Sequence, residues 1–195
     1  MKKCYKLFQN LVLIVLIFLT LTSCAGNGIV TPELPPGPVV EELYLGVPVI
    51  KQEKYNWCLP ASAKSVLNYA GMQITQQKIA SYVMEGDLGY AYILVNHAEE
   101  LGIDAYLKDR TLEEIKEEII KERPPIVLLD YSLTDPANHF YVIDGFSDIK
   151  QEVRLMCPLR GYINMSYTNF KKLNDNTWGS EWEFYFTTSI WPKDN

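Results

Sequence analysis

The stretch Gln52-Glu53-Lys54-Tyr55-Asn56-Trp57-Cys58-Leu59-Pro60-Ala61-Ser62 decides how the rest of the chain is read. It sets a glutamine six residues before a cysteine, and that cysteine just ahead of a proline that opens a helical pattern. Proline suits the first turn of a helix, where the N–H it lacks has no intrahelical partner. The positive end of a helix stabilises a thiolate, so Cys58 reads as a nucleophile of lowered pKa. Gln52 offers a side-chain N–H from the preceding loop to a developing oxyanion. The other reading of the same residues is a small buried cysteine at a turn.

Downstream of Pro60 the apolar residues Ala63, Val66, Leu67 and Ala70 fall on one helical face, and Gly71 stops the pattern. Small Ala61, Ser62 and Ala63 let this helix approach a sheet closely. Two further helices are expected over 75–83 and 90–102. Thr111 with Glu114 three residues on has the form of a capping box and opens another, whose Leu112, Ile115 and Ile119 share a face. After Arg123-Pro124-Pro125 the period changes, and strands are expected at 126–130, 139–146, 152–157 and 183–188, with a short helix at "SYTNFKKL". Helices first and antiparallel strands second argue an α+β class.

The N-terminus speaks to location. Lys2, Lys3 and Lys6 precede the apolar run Leu11–Leu19, which is shorter than the roughly 20 residues of a membrane span and has the form of a signal-peptide core. "LTSC" at 21–24 resembles the lipobox of bacterial lipoproteins, and the resemblance implies an acylated Cys24 as first mature residue. The expected organisation is a signal peptide over 1–23, a Pro/Gly-rich tether over 24–44 and one domain over 45–195. Losing residues 1–23, with three lysines and no acid, takes the net charge from −6 to about −9. So acidic a chain is unsuited to nucleic acid, which requires a basic surface. Two distant histidines with no CxxC or HExxH make no metal-ligand set, and no cofactor is implied.

Cys58 and Cys157 are the cysteines of the expected domain, and a disulfide between them is the rival to a free nucleophile. A cysteine nucleophile needs a base. His97 shares a helical face with Tyr90, Leu94 and Leu101 and reads as a packed or rim histidine. His139 opens an apolar strand, where it can project into a cleft or simply end a loop. Tyr55, Trp57, Tyr90 and Tyr92 are candidates to line a ligand groove.

In ordered pieces, "VPVIKQEKYNWCLPAS", "ITQQKIASYV", "LEEIKEEIIKERPPIVLL", "NHFYVIDGF", "MCP" and "SYTNFKKL", the chain resembles the C39-like branch of the papain-like cysteine peptidases over about residues 45 to 190. The resemblance implies a papain-like fold, with N-terminal helices presenting the cysteine and a C-terminal antiparallel sheet presenting the histidine. It implies Cys58 as nucleophile, His139 as general base and acid, and Gln52 as oxyanion donor. Relatives usually carry Asp or Asn where this chain has Cys157, before Pro158, and a thiol is a weak partner for a histidine. Asn138, Asp144 and Asp148 are no convincing substitutes: Asp144, five residues after His139, belongs to the other face of a regular strand. The expectation is a membrane-anchored thiol peptidase acting on a peptide or protein outside the cytoplasm. The alternative is an inactive peptidase-like domain serving as a cell-surface binding module.

Overall fold

The structure, a computed structural model, describes residues 40–179 and 183–193; the leader, Cys24 and most of the Pro/Gly-rich segment lie outside them. In chain order the elements are β1 (Glu42–Tyr44), α1 (Cys58–Tyr69), α2 (Gln76–Val83), the short strands β2 (Met84–Glu85) and β3 (Leu88–Gly89), α3 (Ala91–Asn96), α4 (Ala98–Leu101) and β4 (Ile103–Arg110). There follow α5 (Leu112–Ile120), β5 (Ile126–Ser132), β6 (Asp135–Ser147), β7 (Glu152–Cys157), β8 (Gly161–Ser166), α6 (Tyr167–Trp178) and β9 (Tyr185–Pro192).

An antiparallel sheet runs β4-β9-β5-β6-β7-β8, with β1 joined to the far end of β6. Apolar cores lie on both of its faces. Leu59, Ala63, Val66 and Leu67 of α1 pack with Ile126, Phe140, Val142 and Met156 on one side. Ile115 and Ile119 of α5, with Phe170 and Leu173 of α6, pack with Val127, Leu129, Tyr141 and Leu155 on the other. That double cover explains why β5 reads as an unbroken apolar run rather than an alternating one. The α+β class is therefore the observed one. The Thr111–Glu114 capping box forms, each partner accepting the other's backbone N–H.

Some expectations change. The helix expected over 90–102 breaks at His97 (φ −107°), where the ring packs on Tyr82 and Nδ1 lies 3.2 Å from Glu100 Oε1. β4 pairs along its full length with β9, yet its exposed Asp104, Lys108 and Asp109 dilute the apolar alternation. β6 begins at Asp135, so His139 sits inside a strand rather than opening it. The sheet also takes in Glu42–Tyr44, which the sequence reading left in the tether.

Asp144 is what fastens that N-terminal strand. Its Oδ1 accepts from Val47 N at 2.5 Å, its carbonyl accepts from Leu45 N at 2.9 Å, and its other oxygen pairs with the Arg154 guanidinium. Arg154 is itself held between the Tyr44 and Tyr162 rings, 4.4 and 4.6 Å away. Burial pushes the Asp144 pKa up, against the Val47 N–H and Arg154. Next to it, Gly145 is fixed by close approach: a Cβ there would lie 2.3 Å from the Leu43 carbonyl oxygen. Gly145→Ala should force β1 away from β6 and cost about 1–3 kcal/mol, read as a lower urea midpoint.

Candidate active site

Cys58 is the first residue of α1, one place further into the helix than the sequence suggested. Trp57 caps the helix without a side-chain hydrogen bond, so the first N–H groups stay free for other partners. The sulfur faces the backbone N–H groups of Phe140, Leu59 and Cys58 itself. Ser62, one turn on, donates from Oγ to the Phe140 carbonyl at 3.3 Å. The N-terminus of α1 thus occupies both main-chain groups of Phe140 on one edge of β6. That edge is open because the β6–β7 pairing ends at Val142 and Met156, and β7 itself ends at Cys157, before Pro158. Proline has no N–H to extend a ladder. The helix end therefore continues what the strand leaves off.

Burial raises the Cys58 thiol above its ordinary pKa, although the three N–H groups oppose the rise. The lowered value expected from the helix terminus alone is not found, because desolvation outweighs it.

His139 pairs with Leu129 of β5 and is buried, its ring edge-on to Tyr131 and Tyr141 at 5.2 and 4.8 Å. Nε2 lies 3.5 Å from Cys157 Sγ. The Cys157 sulfur is thus the group that the ring nitrogen meets. Burial, then the nearby Arg160 charge, pushes the His139 pKa down to about 4. Both shifts favour the neutral forms, the Cys58 thiol and the uncharged His139 ring, over a thiolate and an imidazolium. Among the described residues no hydrogen bond joins Cys58 to His139. What the two share is Phe140, next to His139 in the chain, and Cys157, whose charge when ionised would oppose that of Cys58. Both cysteines are free thiols.

Gln52 is tied to the same region by a backbone bond, its N–H donating to the Pro158 carbonyl at 3.1 Å. One side-chain N–H donates to the Lys54 carbonyl at 3.0 Å, and Oε1 is buried without a partner among the described residues. The loop is clamped by Gln76, which the sequence did not single out: its Nε2 donates to the Lys51 carbonyl (2.7 Å) and its Oε1 accepts from Glu53 N (3.1 Å). Asp148 serves Lys116 and Tyr167 instead of the histidine, and His97 stays with Tyr82 and Glu100.

Cys58 opens into a groove of about 310 Å³ lined by uncharged residues, among them Asn56, Tyr90, Tyr92, Asn138, Phe140 and Trp178. Of the four aromatics proposed for a groove, Tyr90 and Tyr92 line it, whereas Trp57 is buried beneath Lys54 and Tyr55 points to solvent. Among the described residues no cluster of three or more His, Cys, Asp or Glu side chains could hold a metal ion.

A cysteine at a helix N-terminus beside a histidine on an antiparallel sheet defines the papain-like class of fold. The family model described as "Peptidase_C39 like family" matches residues 44–182, and the chain belongs to that family. A putative C39-like peptidase from Bacillus anthracis is similar in structure, with TM-score 0.62 and 15% identity over 80% of this chain and 100% of that one. So is a double glycine motif protease from an AMS/PCAT transporter, solved with its leader peptide (TM-score 0.55, 20% identity, 80% and 100% covered). The peptidase domain of Streptococcus ComA also matches (TM-score 0.55, 15% identity, 74% and 97% covered). No curated protein matches the chain.

The depressed His139 pKa carries a sign. Between the ordinary 6.5 and about 4 the unfolded chain binds a proton that the folded chain refuses. The His139 contribution is therefore complete above pH 6.5 and is lost as pH falls towards 4, on the order of 3 kcal/mol in all. Unfolding midpoints across this range should show the loss, and His139→Gln should flatten it.

Proposed function

We propose that this protein is a thiol peptidase that cleaves peptide bonds through a Cys58 thioester. The observation that carries the reading is the setting of Cys58: first residue of a helix, N–H groups aimed at its sulfur, and an open groove beside it. His139 takes the thiol proton as the sulfur attacks the carbonyl, because a neutral imidazole and a protonated thiol are the resting forms. The carbonyl oxygen becomes an oxyanion stabilised by the Cys58 backbone N–H and a Gln52 side-chain N–H. Collapse of the intermediate expels the amine, which leaves with the proton from His139. Water then attacks the thioester, giving its proton to His139, and the acid and free thiol are regenerated. No metal or organic cofactor enters this scheme. The uncharged, aromatic groove favours apolar side chains next to the scissile bond, since a charged one would lose its water there without a partner.

Cleavage of a mixed peptide library should be abolished by Cys58→Ala and reduced by roughly 10²-fold or more by His139→Ala. Trp178→Ala should raise KM for apolar substrates more than it lowers kcat. The second reading, a surface binding module, is favoured by the raised thiol and by Cys157 where the resemblance leads one to expect Asp or Asn. It predicts peptide binding that survives Cys58→Ala, with no product from the unaltered protein.

We further infer that Cys24 is acylated and that the domain is held on the cell envelope, facing outside the cytoplasm. The support is the sequence "LTSC" after the apolar run, and a lipid anchor contributes about 0.8 kcal/mol per buried methylene. Expressed in a bacterium, the chain should partition into detergent and carry a diacylglycerol mass on the peptide beginning at residue 24. Cys24→Ala should move it to the aqueous phase.

A further inference from the structure

A second cavity, of about 210 Å³, opens on the sheet face opposite the Cys58 groove, at the β4 edge. Side chains alternate along a strand, and those of β4 and β9 sort accordingly. Ala105, Leu107 and Phe186 pack against the α1 core, and Phe186 reaches the groove. The intervening residues face the other way, beyond the C-terminal end of α5. In the antiparallel register Ser189 stands opposite Tyr106, and Trp191 opposite Asp104. These four line the cavity together with Arg123.

A buried guanidinium stands behind it. Arg110 is 1% exposed, and the nearest acid, Glu118, lies 3.8 Å from Nη2, too far for a hydrogen bond. The guanidinium bonds to hydroxyls instead: Nη1 donates to Thr187 Oγ1, and Nη2 to Ser189 Oγ at 2.9 Å and to Tyr106 Oη at 3.2 Å. Thr187 passes its own proton to the Lys108 carbonyl at 2.6 Å. The protons of Ser189 and Tyr106 have no acceptor among the described residues.

A hydroxyl carries one proton and two lone pairs. With a guanidinium on a lone pair the O–H is directed away from it, and linked hydrogen bonds make it a better donor. Ser189 is 8% exposed, so bulk water does not readily take its proton. Both hydroxyls line the cavity, and that is where their protons find room. Arg123, exposed at the rim, adds a permanent cation. Two donors backed by one guanidinium and flanked by another suit a carboxylate. At about 30 Å³ per water, the cavity is several times larger than a bare carboxylate needs. Its remaining walls, Trp191 and two prolines, favour an apolar group joined to that charge. Asp104, two residues before Tyr106, stands about 7 Å further along the strand, where it suits an N–H of the same ligand.

We propose that this cavity binds the C-terminal carboxylate of a short peptide whose last residue is apolar, with Ser189, Tyr106 and Arg123 as donors. The site uses neither Cys58 nor His139, so it stands or falls apart from the peptidase reading. Where that reading also holds, such a ligand is the fragment that cleavage leaves with a new carboxylate.

The full chain has four tryptophans, so ¹⁵N-tryptophan labelling gives four indole N–H signals, and Trp191→Phe assigns the one at the cavity. Cys58→Ala is the background throughout, so that no peptide is consumed. Titration with N-acetyl-leucyl-leucine should move the Trp191 signal saturably. The C-terminal amide of the same peptide, which keeps the apolar body, should bind at least about tenfold less tightly. The acid should lose about as much against Arg123→Gln and against Ser189→Ala. Where Ser189→Ala does not fold, because Arg110 has lost a partner, Arg123→Gln and Tyr106→Phe at the rim carry the decision. A Trp191 signal that does not respond, or that responds alike to acid and amide, overturns the proposal. So does acid binding indifferent to both Arg123→Gln and Tyr106→Phe. Movement of Trp178 alone places the peptide in the Cys58 groove, and inorganic phosphate binding as tightly as the peptide makes the cavity a phosphate site; either result also overturns it.

Discussion

The docking of one helix end on one strand edge governs the rest of the molecule. Phe140 has an N–H and a carbonyl on the side of β6 that β7 does not reach, and both would be costly to bury unpaired. The N-terminus of α1 satisfies them, Cys58 taking the N–H and Ser62 the carbonyl. Small Ala61, Ser62 and Ala63 make the approach possible, all of them fully buried. The same contact that completes the sheet therefore fixes the sulfur next to the strand that bears His139. The Gln52 loop follows, held at Pro158 by its backbone and by Gln76 from below.

The electrostatics of the site run against the simplest account of a cysteine enzyme. A helix terminus lowers a thiol's pKa where water can share the charge, but here burial dominates and the thiol is raised while the imidazole is depressed. Two neutral groups are the consequence. The groups at the ring work in the same direction, since His139 faces the Cys157 sulfur and the nearby Arg160 charge disfavours an imidazolium. The raised thiol and the depressed histidine are thus one arrangement and not two separate departures.

Local rules were legible where a segment decides its own structure. The capping box at Thr111 and Glu114, the apolar face of α1 and the strands around 126 and 152 follow from spacing alone, because the interactions that make them lie within a few residues. The break at His97 and the strand Ile103–Arg110 were not legible. Their causes are Tyr82, Glu100 and the whole length of β9, all supplied by other parts of the chain. Asp144 was set aside on strand alternation, and its actual partners, Val47 and Arg154, could not have been guessed from its neighbours.

By itself the sequence determined the class of fold, the order of its elements, and the chemical kinds in the site: a thiol at a helix start, an imidazole on a strand, a second thiol at the end of the next strand. Side-chain type and short-range spacing suffice for those. The tertiary structure alone decided the protonation of the pair, the Cys157–His139 contact, and the part of Arg160, Tyr131 and Gln76. Each of these depends on desolvation or on contacts between residues far apart in sequence, and distance along the chain carries no information about either.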